Sequence, residues 1–151
     1  MSQQLNAMHP MSLIFLLHIA LDVPMAVQGL WSPLSLPFLQ LNNTALVFIK
    51  MYASLVGGTC VAALLSFNLP EFLPGKRAFA IALCVYHATV STVLFNAPRF
   101  IPHTFGPVFE AYKATPEHVW GCLHGILGLL FAIWWQVTLP YVAAMPRMKA
   151  Q

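Results

Sequence analysis

Acidic side chains are almost missing from this 151-residue chain; Asp22, Glu71, Glu110 and Glu117 are all it has. Charged residues of both signs make up only 7% of the sequence, against 59% hydrophobic ones. So little charge excludes an ordinary water-soluble domain. A net charge of +3, scattered along the chain, gives no footprint for a nucleic acid. Repeats and low-complexity tracts are lacking too. The three cysteines (Cys60, Cys84 and Cys122) lie far apart, so neither a disulfide framework nor a Cys-x-x-Cys-His haem attachment is present.

What remains is apolar. Residues 11–30, 45–67, 78–97 and 119–139 form four stretches of the roughly 20 residues that a helix needs to cross a bilayer core of about 30 Å. They predict an all-α fold, an integral membrane four-helix bundle occupying residues 1–151 as a single transmembrane domain. The first ten residues carry no Lys or Arg, and Asp22 and Pro24 lie inside the first stretch. It therefore reads as a retained helix and not a signal peptide. Lys76, Arg77, Arg147 and Lys149 outnumber Arg99 and Lys113 on the other side, which predicts both termini in the cytoplasm. An endomembrane location, the endoplasmic reticulum, is expected. The sequon Asn42-Asn43-Thr44 abuts the second helix, too close to the membrane to be glycosylated.

The connections differ in character. Residues 31–44 are uncharged, with Pro33 and Pro37 among large apolar side chains, and are expected at the interface or folded over the bundle mouth. Residues 70–77 are short and rich in breakers, making the second and third helices a hairpin. Residues 98–118 form the longest connection; 108–114 read as a short interfacial helix, and Thr115 and Pro116 as the start of the fourth span.

Ionisable groups inside the spans carry the functional signal, because their insertion cost normally turns them toward a protein interior. His18 and Asp22 are four residues apart on one helical face. Lys50, Ser54, Gly57 and Val61 form a stripe on the second span, Cys84, His87 and Ser91 on the third, and Glu117, Gly121, His124 and Gly128 on the fourth. At 1.5 Å per residue, Lys50 and His124 lie about 8 Å from the side of the first and third loops, Asp22 about 12 Å and His87 about 15 Å. His18 is deeper, at about 18 Å.

A shared depth across four helices predicts one polar layer. Asp22 is expected to pair with Lys50, flanked by His87 and His124, as the catalytic set. His18, Tyr52, Ser54, Tyr86, Ser91, Glu117 and Trp120 are the candidate substrate-binding residues. A carboxyl group and imidazoles in a low-dielectric slot can exchange protons, which suits isomerisation, cyclisation or epoxide opening on a lipid-, sterol- or terpenoid-like molecule. Tyr52, Tyr86 and Trp120 could stabilise a cationic intermediate.

No metal and no cofactor are assigned. The expected partners are membrane lipids and a hydrophobic small molecule, with Gly121, Gly125 and Gly128 as a surface for a second copy of the chain. The same groups also read as interhelical hydrogen bonds in a non-catalytic protein for lipid binding, transport or complex assembly. His87 and His124 read, as a further alternative, as axial ligands of a non-covalent haem.

Leu17-His18-Ile19, followed by Asp22 and Gln28, resembles the first span of EXPERA-domain proteins, which include sterol isomerases and the sigma-2 receptor. Tyr86-His87-Ala88-Thr89 with Ser91-Thr92-Val93-Leu94 is similar to their third. The resemblance implies a four- or five-helix membrane fold, an acidic lipid-accessible pocket and a role in sterol or lipid handling.

Overall fold

In a computed structural model, which describes residues 9–143, all the regular structure is helical, with no strand among those residues. A 3₁₀ turn at Pro10–Leu13 leads into α1 (Ile14–Trp31), followed by α2 (Asn43–Phe67), α3 (Pro74–Asn96), the short α4 (Pro107–Ala111) and α5 (Pro116–Val137). The four long helices are each long and apolar enough to cross a membrane, as expected of a multi-pass membrane protein.

Local chemistry sets the helix ends. The Asn42 side chain accepts from Ala45 N at 2.8 Å and starts α2, two residues earlier than hydropathy suggested. Pro74 opens α3 four residues before its apolar run, because proline at a first helical position forfeits no hydrogen bond. Thr115 caps α5 from in front of Pro116, accepting from His118 N at 3.3 Å.

The bundle is two helix pairs. α1 packs along α2, and α3 along α5, far more extensively than either pair packs on the other. Small residues permit both close approaches. A Cβ on Gly29 would stand 2.8 Å from that of Ala53. On α5, the glycine face lies against α3: a Cβ on Gly125 would meet Ser91 Oγ at 2.9 Å, and Gly121 and Gly128 face Leu94, Phe95 and His87. The glycine surface expected to receive a second copy is therefore occupied within the chain.

The stripe expected on α2 is also corrected. Ala53, Val56, Cys60 and Ala63 form its buried face, while Lys50 and Ser54 are exposed. Gly57 is half-buried, and Val61 is exposed. Small volume governs which face a helix presents to a close neighbour, and Ala53 fits against Gly29 where Lys50 does not.

Candidate functional site

The two pairs meet along a polar seam. His18 and Asp22, on successive turns of α1, place Nδ1 and Oδ2 2.8 Å apart. His87 enters from α3, with Nε2 3.1 Å from His18 Nδ1. Its other nitrogen, Nδ1, lies 2.8 Å from Nδ1 of His124 on α5. Trp120, one turn before His124, donates its indole N–H to His124 Nε2 at 2.7 Å. These contacts make one row running from α5 through α3 to α1. His18, Asp22, His87 and His124 are each no more than 1% exposed.

A second row reaches Asp22 from the other side. The Tyr52 and Tyr86 hydroxyls lie 2.7 Å apart, and the Tyr86 hydroxyl donates to Asp22 Oδ1 at 3.3 Å. The carboxyl group is thus the point where α1, α2, α3 and α5 communicate through polar atoms. Its Oδ2 has no hydrogen-bond partner among the described residues, despite the nearness of His18.

Asp22 also lines a cavity of about 540 Å³, within the range of roughly 300–1,000 Å³ usual for small-molecule sites. The walls are mainly Met25, Val90, Val93, Leu94 and Ile101, with Tyr52, Thr89, Gln28 and Trp120 as further polar groups and no lysine or arginine. The first and third connections roof it through Leu36, Pro37, Phe38, Phe100 and Ile101. Leu39 N donates to Phe100 O at 2.8 Å, and the Phe38 and Phe100 rings sit 5.3 Å apart, so the loops are tied to each other. The first connection therefore folds over the bundle.

The expected residues divide. Asp22, His87, His124, His18 and Tyr86 come together, and Tyr52 and Trp120 line the cavity as well. Lys50 does not join them: it is exposed on α2 and forms no ion pair with Asp22, the side-chain nitrogens within 4.0 Å of that carboxylate being those of His18, His87 and His124. Ser54 turns its hydroxyl back to Lys50 O at 2.8 Å. Ser91 donates to Gly121 O at 2.8 Å and belongs to the α3–α5 contact. Glu117 accepts the backbone N–H groups of Phe100 and Ile101, both at 2.8 Å, and so anchors the roof instead of facing a ligand. Gln28 and Thr89 are cavity residues that spacing alone did not single out.

Two cofactor geometries can be tested on these distances. His87 and His124 are bonded to each other, with ring centroids 5.0 Å apart, which leaves no room for a porphyrin between them. His18, Asp22 and His87 offer ligand atoms within 4.8 Å of one another, a spacing that a metal ion accepts.

No family model, curated protein or solved structure matches this chain.

Proposed function

We propose that this membrane protein binds an uncharged, lipophilic small molecule in the cavity and moves protons on it through Asp22. The observation that carries the reading is the placement of one buried carboxyl group at the wall of an apolar cavity, backed by three histidines and two tyrosines. The absence of a fixed cation from the walls disfavours a phosphorylated or carboxylated ligand. A sterol- or terpenoid-like skeleton, which the resemblance to EXPERA-domain proteins implies, suits the volume and the apolar lining.

In a double-bond isomerisation, Asp22 gives a proton to one alkene carbon. The resulting cation loses a proton from a neighbouring carbon to the same carboxylate, and no net proton is consumed. Trp120 and Tyr52 line the cavity, and their aromatic rings suit stabilisation of such a cation. With the loops tied across the top, entry is lateral, from the lipid beside α3, where Thr89 and Val93 are exposed. An endoplasmic-reticulum-type membrane with both termini in the cytoplasm accords with a lipid substrate.

The test compares whole-cell lipid extracts by mass spectrometry, from cells carrying no protein, the wild type, Asp22→Asn or His124→Ala at matched expression. A lipid pair that interconverts only with the wild type is the expected result. Unchanged interconversion in both variants would remove the site assignment. Lipid profiles identical with and without the wild-type protein would favour the rival role in lipid binding or assembly.

A further inference from the structure

We infer, on the reading of this cavity as the site of an uncharged lipophile, that its ligand is an alcohol whose hydroxyl donates to Gln28 Oε1 at the roofed end while the hydrocarbon body reaches down to Asp22. Gln28 lines the cavity together with the roof residues. Its Nε2 donates to Ser35 O at 3.2 Å and to Ser35 Oγ at 3.1 Å. A backbone carbonyl only accepts, and Ser35 Oγ spends its own hydrogen on Ser32 O at 2.7 Å. The nitrogen of the amide is therefore the end turned to Ser35. Oε1 is left over, an acceptor with no donor on it among the described residues.

The roof adds no donor of its own. Leu36 N donates to Pro33 O at 3.3 Å and Phe38 N to Leu36 O at 2.8 Å, and Pro37 between them has no N–H. Phe100 N and Ile101 N are both taken by Glu117 Oε1. The Trp120 indole N–H is taken by His124 Nε2. The Tyr52 hydroxyl pairs with that of Tyr86, whose hydrogen goes to Asp22. The roofed end therefore presents acceptors and no spare N–H or O–H. A molecule that ends there in a hydroxyl supplies the missing hydrogen, whereas a ketone, an ether or an ester brings only further acceptors.

Depth orients the molecule. From the loop side of the membrane Gln28 lies about 3 Å in and Asp22 about 12 Å, a separation of about 9 Å along α1. Thr89, the wall residue whose hydroxyl is able to donate, stands about 12 Å in on α3, level with Asp22 and away from Gln28. An alcohol in a bilayer already keeps its hydroxyl toward the surface and its hydrocarbon deep, because burying an unbonded hydroxyl is costly. Entering laterally, it docks on Gln28 without turning over and presents to Asp22 a carbon about 9 Å below its hydroxyl. Gln28 is thus a specificity residue, touching the ligand away from the reacting carbon.

The experiment is saturation binding of tritiated cholesterol and tritiated farnesol to the purified full-length protein in detergent. Each is competed by the unlabelled alcohol, its methyl ether and its carbonyl analogue (cholestenone or farnesal). For at least one skeleton, the ether and the carbonyl compound are expected to compete about tenfold or more weakly than the alcohol. Gln28→Leu should erase that gap, and Asp22→Asn should keep it. Ser35→Ala, which leaves Ser35 O to hold the amide, should keep it too. Equal competition by the three compounds in the wild type, an unchanged gap in Gln28→Leu, or a gap lost equally in Ser35→Ala would overturn the inference. The wild-type comparison decides it even if Gln28→Leu does not fold. Failure of both alcohols to bind saturably would overturn it together with the lipophile reading. The proposed reaction is separable: alcohol preference without any lipid interconversion sinks only the reaction, and interconversion with equal binding of alcohol and ketone sinks only the role of Gln28.

Discussion

The chain has two buried polar regions, and they are built on opposite plans. At the far end of the bundle from the roof, Lys76 is 1% exposed and meets Glu71 Oε2 at 3.0 Å, while its other hydrogens reach Leu69 O at 2.8 Å and Phe67 O at 3.2 Å. Ser12 donates to Glu71 Oε1 at 2.6 Å and accepts from the Trp134 indole. Arg77 is held by Thr138 Oγ1 and Trp135 O. Here Lys76 and Glu71 pair full charges of opposite sign, loose carbonyls at the end of α2 are satisfied, and none of these residues lines the apolar cavity. The seam around Asp22 has neither a lysine nor an arginine and opens onto a cavity. On the proposed function, the first region is arranged to be stable and the second to be used.

Substitutions can break or sharpen that contrast. The largest effect is expected from Lys76→Met, which leaves Glu71 buried and uncompensated; about 3–5 kcal/mol of stability should be lost in detergent unfolding. Adding Glu71→Gln should restore part of it. Gly29→Ala is next, at about 1–3 kcal/mol, because the new methyl group overpacks the α1–α2 contact. Ala53→Gly in the same chain should relieve it, measured by the same unfolding curves.

Asp22→Asn should cost about 1 kcal/mol or less, the scale of one interhelical hydrogen bond in a membrane, while abolishing the lipid interconversion. A loss as large as that of Lys76→Met would show that the two regions are one kind of structure. Lys50→Gln should be the mildest, within about 0.5 kcal/mol of the wild type by unfolding and with lipid interconversion intact.

Much of this layout is legible in the sequence, for a physical reason. A bilayer admits few polar groups, so His18, Asp22, His87 and His124 stand out against an apolar background, and helical spacing brings them to shared faces. The expected Asp22–Lys50 pair fails because the face of α2 was read from polarity. The approach of α1 to α2 is decided instead by the volumes of Gly29 and Ala53. Lys76 and Arg77 read as surface charges beside a loop, since their partners (Glu71, Thr138 and the carbonyls of Phe67 and Trp135) come from segments that sequence spacing does not join. Glu117 was misread for a like reason: its partners are backbone N–H groups of a loop whose course only the fold determines.

Beneath the histidines, the His87 ring stacks on Phe131 at 5.8 Å, and Phe131 in turn meets Phe15, which meets Trp134. Leu83, Ala80 and Ala63 fill the same layer. A continuous path of exchangeable hydrogens through a membrane protein would let an ion gradient drain along it. On the proposed proton chemistry, this aromatic layer is the insulation: it separates the seam from the Ser12–Lys76 cluster, so that protons entering from the cavity leave only by the way they came.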